Sequence, residues 1–386
     1  MQHFYFCEYF SASECEYFGL EDKNMKKKSL IITMAVLAAM LTACGSNSES
    51  SSDADSAAET TTAAVTEKEA DSVAETTEEV SEENSEESSD DETAADNEAE
   101  ADDEENYDTG DASLDNIRNQ DEIGDNELLV LSFGTSYNDS RRLTIGAIEN
   151  DLEKAFPDYS VRRGFTANII IDHVNKRDNV LIDDVDAALE RAVDNGVKNL
   201  VVQPTHLMNG LEYDELVSTV GNYSDAFEKV VFGEPLLTSD DDFARVEKAI
   251  TEWTSEYDDG ETAICFMGHG TEADSNRIYQ KMQDLLASDG YENYFVGTVE
   301  ATPSLDDVLE KVKAGNYKKV VLEPLMVVAG DHANNDMAGD EDGSWKKTFE
   351  DAGYEVTCIL RGLGENEDIR QIYVDHAKAA IESLDK

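Results

Sequence analysis

Three side chains carry most of the chemistry this sequence offers. His269 sits in Met267-Gly268-His269-Gly270-Thr271, directly after the apolar run Ala263-Ile264-Cys265-Phe266. Glu300 follows Gly297-Thr298-Val299, and His332 lies in Ala329-Gly330-Asp331-His332-Ala333-Asn334-Asn335-Asp336. Two imidazoles and one carboxylate suit a borderline divalent ion such as cobalt, iron, nickel or zinc. A site with three protein ligands keeps coordination positions open for another molecule. His269 alone reads as well as a turn residue between two glycines; the other two residues give it weight. The spacing is no signature in itself, because the three can meet only if the fold gathers three strand ends. Asp331, Asn334, Asn335 and Asp336 would orient His332, and turn chemistry explains them nearly as well. His pairs at helical spacing, P-loop, G-x-S-x-G and CxxC motifs are absent, so no nucleotide is implied.

The elements that must position these residues follow from the pattern of apolar runs. Residues 128–133, 159–165, 199–203 and 229–232 read as short strands, with helices at 143–156, 169–177, 185–195, 213–220 and 243–253. The alternation then starts again. Strands at 263–267, 294–297, 319–323 and 355–360 are interleaved with helices at 276–287, 305–314, 345–352 and 369–383, and Ser304 is a candidate N-cap. Alternation at these lengths argues for an α/β fold with parallel sheets. The halves also match locally. Phe133-Gly134-Thr135 lies where His269-Gly270-Thr271 lies, Gln203-Pro204 where Glu323-Pro324 lies, Gly210 opposite Gly330, and Thr166-Ala167 opposite Glu300-Ala301. The expected architecture is two similar Rossmann-like, doubly wound lobes with a cleft between them, at 127–258 and 259–386. His269, Glu300 and His332 each follow a different strand of the second lobe. In open α/β sheets, ligands collect at the carboxyl ends of strands.

The net charge of −57 is unevenly spread. Residues 45–126 hold 30 Asp/Glu against Lys68 and Arg118, with almost no large apolar residues. Such a segment cannot bury enough surface to offset its ordering entropy, and it reads as a disordered, self-repelling tether. An acidic chain with no basic stripe is a poor nucleic-acid ligand. Ahead of the tether come Met25-Lys26-Lys27-Lys28, an apolar run and Leu41-Thr42-Ala43-Cys44. This is the layout of a signal peptide, too short to span a membrane comfortably, with Met25 as the natural start. The Leu-Thr-Ala-Cys ending resembles a bacterial lipobox, which implies lipidation of Cys44 and an extracytoplasmic, membrane-anchored protein; an ordinary signal peptide with an incidental cysteine is the alternative.

The globular part resembles the anaerobic sirohydrochlorin cobaltochelatases of the CbiK type, within the class II chelatase superfamily. The segments that carry the resemblance are LLVLSFGTSY (128–137), QPTHLMNGLEYDEL (203–216), MGHGTE (267–272), FVGTVEATPSLDDVL (295–309), EPLMVVAGDHANNDMAGD (323–340) and RGLGENEDIRQIYVDH (361–376). It implies ATP-independent insertion of Co²⁺ into a tetrapyrrole, with His269, Glu300 and His332 in the metal-binding positions and His269 as the catalytic histidine. Fe²⁺ or Ni²⁺ would suit the same ligands. Ser132, Gly134, Thr135 and Ser136 would then face the macrocycle and bind its carboxylates, unless they form only a turn and helix cap. His206, also at a strand end, is a further candidate ligand to substrate, metal or haem. Arg141, Arg142, Arg162 and Arg163 could pair with substrate carboxylates, but solvated surface arginines are the default. His173 and His376 read as surface or packing residues, and Cys265 and Cys358 as core thiols. Three functions stay open: a tethered chelatase, a tetrapyrrole or metal binder without turnover, and a two-lobed solute receptor. Nothing in the sequence decides between monomer and homo-oligomer.

Overall fold

A computed structural model describes residues 109–384 of the chain. Cys44, the leader and most of the acidic segment lie outside the described residues. The first half runs β1 (Asn126–Ser132), α1 (Asn138–Leu143), α2 (Ile145–Ala155), β2 (Ser160–Phe165), α3 (Asn168–Asp178), α4 (Val185–Asp194), β3 (Asn199–Pro204), α5 (Leu211–Tyr223), β4 (Lys229–Phe232) and α6 (Asp240–Trp253). The second runs β5 (Thr262–Gly268), α7 (Arg277–Ser288), β6 (Tyr294–Thr298), α8 (Leu305–Ala314), β7 (Lys319–Pro324), α9 (Trp345–Asp351), β8 (Glu355–Cys358) and α10 (Glu367–Ser383).

Among the described residues the strands form two four-stranded parallel sheets, ordered β2-β1-β3-β4 and β6-β5-β7-β8. The same order in each half is the repeat that the local sequence matches suggested. The central strands are apolar on both faces because helices cover both: Leu128, Leu129, Val130 and Leu131 are fully buried, as are Ile264, Cys265 and Phe266. Each such aliphatic side chain contributes about 2 kcal/mol through burial. Helix starts are locally encoded. Ser239 and Asp242 close a capping box on α6, and Ser304 and Asp307 do the same on α8.

The structure corrects four expectations. The acidic segment does not run unstructured to Asn126. Residues 109–125 pack on the first lobe, with Arg118 and Asp115 buried and Ile117 and Ile123 against its core. The helix expected over 143–156 is α2, but a second helix, α1, precedes it where none was expected, and Thr144 (φ −109°, ψ −81°) separates the two. The C-terminal helix, assigned to the second lobe, returns to the first. In α10, the Tyr373 hydroxyl donates to the Thr205 carbonyl (2.9 Å), Arg370 pairs with Asp151 (2.6 Å) and Asp375 with Arg245 (2.8 Å).

The fourth correction concerns the arginines. Arg141, Arg162 and Arg163 are buried, not solvated. Adjacent residues of a strand face opposite sides of the sheet, so Arg162 and Arg163 of β2 enter separate interiors, and each meets a carboxylate there. Arg162 Nε donates to Glu127 Oε1 (3.0 Å), and Arg163 Nη2 to Glu149 Oε2 (2.7 Å). Burial pushes the Glu127 carboxyl up to about 7 against the pull of Arg162. Removing one partner of such a pair leaves a buried charge, at a cost of about 3–5 kcal/mol.

Candidate metal centre

His269 is the first residue after β5, Glu300 the second after β6, and His332 the eighth after β7. These three neighbouring strands of one sheet deliver their ends to the same rim. The turn after β5 demands Gly270. Its φ is +93°, and a Cβ there would lie 2.9 Å from the Ala301 nitrogen. That absence of side chain lets the β5 and β6 loops touch, and Glu300 N donates to the His269 carbonyl (2.9 Å). On the other side, the Gly270 N–H reaches the hydroxyl of buried Tyr279 (3.3 Å). His332 lies just before a π-helical turn, Ala333–Met337, which brings the Asp336 carboxylate within hydrogen-bond reach of its Nδ1.

The predicted ligands converge. One ligand atom from each of His269, Glu300 and His332 lies within 4.8 Å of the others. His269 Nε2 is 3.7 Å from Glu300 Oε1, and the two imidazoles stand edge to face with centroids 4.6 Å apart. His269 Nδ1–H donates to the Gly270 carbonyl (2.8 Å), and His332 Nδ1–H to the Asp336 carboxylate (2.7 Å). Both bonds select the tautomer that offers Nε2 to an ion. Asn335 Nδ2 donates to Asp331 (2.6 Å) and Asn334 Nδ2 to the Gly330 carbonyl (2.7 Å), so these residues build the His332 turn. Asp331, His332 and Asp336 form a second, overlapping group of donors.

Several sequence expectations end elsewhere. Ser132, Thr135 and Ser136 are 1–3% exposed, so their hydroxyls are not presented to a substrate. Thr205 Oγ1 donates to Ser132 Oγ (2.7 Å), and the Tyr137 N–H to Thr135 Oγ1 (3.3 Å). Gly134, at φ +109°, packs against Phe165 as the first-lobe counterpart of Gly270. His206 is not brought to the metal group. Neither ring nitrogen has a hydrogen-bond partner among the described residues, and burial lowers its pKa to about 4, with Glu212 opposing. His376 bridges Glu234 O (3.0 Å) and Asp242 Oδ1 (3.1 Å) as a packing residue. Cys265 and Cys358 are free thiols, and burial raises both.

The repeat shows what stands in the first lobe, among the described residues, where the second has its candidate ligands. Thr166 N donates to Ser132 O (2.8 Å) and Ala167 N to Phe133 O (3.3 Å), just as Val299 N donates to Gly268 O (3.0 Å) and Glu300 N to His269 O (2.9 Å). Glu300 is therefore matched by Ala167, one residue on from the pairing read in the sequence. His269 is matched by Phe133 and His332 by Glu212. Glu212 escaped the sequence reading, although counting from Gly210 and Gly330 would have found it. Tyr279 gave no signal, since an aromatic on an amphipathic helix reads as core.

The fold is that of a two-lobed α/β chelatase, and one sheet rim gathers three side chains that could hold a divalent ion. The chain belongs to the cobalt chelatase (CbiK) family, whose model matches residues 126–382. It is 36% identical over 254 residues to the sirohydrochlorin cobaltochelatase of Salmonella typhimurium, covering 66% of this chain and 96% of the relative. It is 30% identical over 281 residues to the sirohydrochlorin cobaltochelatase CbiKC of Nitratidesulfovibrio vulgaris, covering 71% and 97%. Among solved structures it is similar to SirB from Bacillus subtilis with Fe³⁺, at 12% identity and a TM-score of 0.48, covering 68% of this chain and 98% of that one.

Proposed function

We propose that the protein inserts Co²⁺ into sirohydrochlorin without ATP, outside the cytoplasm, tethered to the membrane by lipid on Cys44. The observation that carries the reading is the convergence of His269, Glu300 and His332 within one ion's reach. The names of its relatives support the substrate. The macrocycle must lose two pyrrole protons as the divalent ion enters, so charge is conserved: Co²⁺ goes in and two H⁺ come out. An ion held by three protein groups has open positions through which the macrocycle nitrogens can take it over. His269 is its ligand first. Once the ion has left, Nε2 can accept a released proton, because a nitrogen bound to metal cannot also be protonated. Fe²⁺ and Ni²⁺ share the donor preference of Co²⁺ and are candidate alternatives.

Purified protein, sirohydrochlorin and Co²⁺ are mixed, and the visible spectrum is followed. Metallation of many macrocycles per protein molecule supports the enzyme. The lipobox-like Leu-Thr-Ala-Cys favours a second reading, a tetrapyrrole-capturing lipoprotein, because it directs the protein away from an intracellular substrate supply. A single stoichiometric spectral change would establish that reading instead. Labelling with a radioactive fatty acid, lost on Cys44→Ser, tests the anchor.

A further inference from the structure

Residues 109–118 lie ahead of the region matched by the family model, yet they are packed beneath the part of the first lobe that touches the metal-bearing loop. The Thr109 carbonyl accepts from Asp139 N (2.8 Å), and the Gly110 carbonyl from Asn138 Nδ2 (3.1 Å). Asp115 is the anchor of this strap. Its carboxylate takes Arg141 Nε at 2.7 Å and Arg163 Nη1 at 2.6 Å, with side chains 4%, 0% and 0% exposed. Arg163 has a second carboxylate, Glu149, but Asp115 is the carboxylate paired with Arg141. Arg141 in turn donates from Nη1 to the Thr135 carbonyl (3.2 Å) and from Nη2 to Asn138 Oδ1. One guanidinium thus ties the strap to the loop before α1 and to the first turn of α1.

That corner of the first lobe meets the His332 loop directly. Ser140 of α1 accepts from the Ala329 N–H (3.0 Å). Thr135 Oγ1 sits 3.1 Å from where a Cβ on Gly330 would be. The Gly330 carbonyl is itself the acceptor for both Asn334 N (3.2 Å) and Asn334 Nδ2 (2.7 Å), which shape the turn holding His332. We propose that Asp115 is a positioning residue for the metal centre: through Arg141 it fixes α1, and α1 braces Ala329 and Gly330 two to three residues ahead of His332. The strap gives the candidate metal centre a support drawn from residues ahead of the region that the family model matches. The proposal deepens the metal-loading reading above and rests on it.

The test is a double-mutant cycle in the full chain, read as Co²⁺ affinity by direct titration of the protein without tetrapyrrole. Asp115→Asn keeps the shape and removes the charge. Ser140→Ala removes the acceptor for Ala329 and leaves every buried ion pair intact. Asp115→Asn is expected to weaken Co²⁺ binding about tenfold and Ser140→Ala about threefold. The double variant should stay near tenfold instead of reaching about thirtyfold, since both act along one route. Glu127→Gln, at a buried pair with no contact to α1, should lower the unfolding midpoint while leaving Co²⁺ affinity unchanged. Single variants that bind Co²⁺ within about twofold of the parent, or effects that multiply, would overturn the proposal. Should Asp115→Asn not fold, Ser140→Ala decides alone: a threefold loss supports the brace and unchanged affinity refutes it. A parent protein that binds Co²⁺ but never metallates sirohydrochlorin would count against chelation and leave this cycle standing.

Discussion

The two overlapping donor groups make Asp336→Asn a sharp perturbation. If the ion sits between His269, Glu300 and His332, Asp336 only orients His332, through an Nδ1–H bond of 2.7 Å to a carboxylate that is 43% exposed. Partners of metal-bound histidines are worth about 10- to 100-fold in affinity, and this exposure places the loss at the low end, about tenfold or 1.4 kcal/mol. Glu300→Gln removes a charged ligand outright and should cost about 100-fold or more. If the ion sits instead between Asp331, His332 and Asp336, the order reverses: Asp336→Asn loses a ligand, and Glu300→Gln does little. Competition of each variant with a chromophoric chelator for Co²⁺ reads both affinities in one experiment. An Asp336→Asn variant weakened more than Glu300→Gln would refute the assignment of the centre, and with it the reasoning that strand ends β5, β6 and β7 deliver the ligands.

Other outcomes follow from the same geometry. His269→Ala should abolish metallation of sirohydrochlorin while leaving the thermal midpoint within about 2 °C, because its side chain is 43% exposed and anchors no core; full turnover would remove its catalytic role. Gly270→Ala forces a side chain onto a φ of +93° and against Ala301, so it should displace Glu300 and weaken Co²⁺ binding by about tenfold, measured by the same competition. Glu149→Gln strips the carboxylate from buried Arg163 and Arg118 and should lower the denaturant-unfolding free energy by about 3 kcal/mol. His206 gives a pH signature. Its folded pKa of about 4 lies below the unfolded 6.5, so the native state binds fewer protons. Its contribution is therefore complete above pH 6.5 and is lost as pH falls toward 4, by up to about 3 kcal/mol. Urea unfolding of His206→Gln should show a flatter acid slope over that window; an unchanged slope would mean that His206 charges freely in the folded protein.

What could be read from the sequence was whatever local pattern decides. Runs such as Leu128–Leu131 and Ala263–Phe266 are too short and too apolar for anything but buried strands, and their repetition sets the two-sheet plan. The convergence of His269, Glu300 and His332 was legible because each follows such a run. Long-range pairing was not. Arg162 and Arg163 look solvated until β2 is seen to lie beside β1 and α2, where Glu127 and Glu149 wait. Asp115 sits among so many acids that composition hides it, and only its neighbours Ile117, Arg118 and Ile123 distinguish the last part of that stretch from the rest. Ser132, Thr135 and Ser136 misled because hydroxyls near glycine suit a ligand and a tight turn equally, and burial alone separates the two.

The return of α10 to the first lobe has a mechanical consequence. The second half is joined to the first through the chain that enters this helix, whose Tyr373, Arg370 and Asp375 all bind first-half residues. Moving the halves relative to each other would therefore load the short segment between β8 and that helix, where the chain crosses from one half to the other.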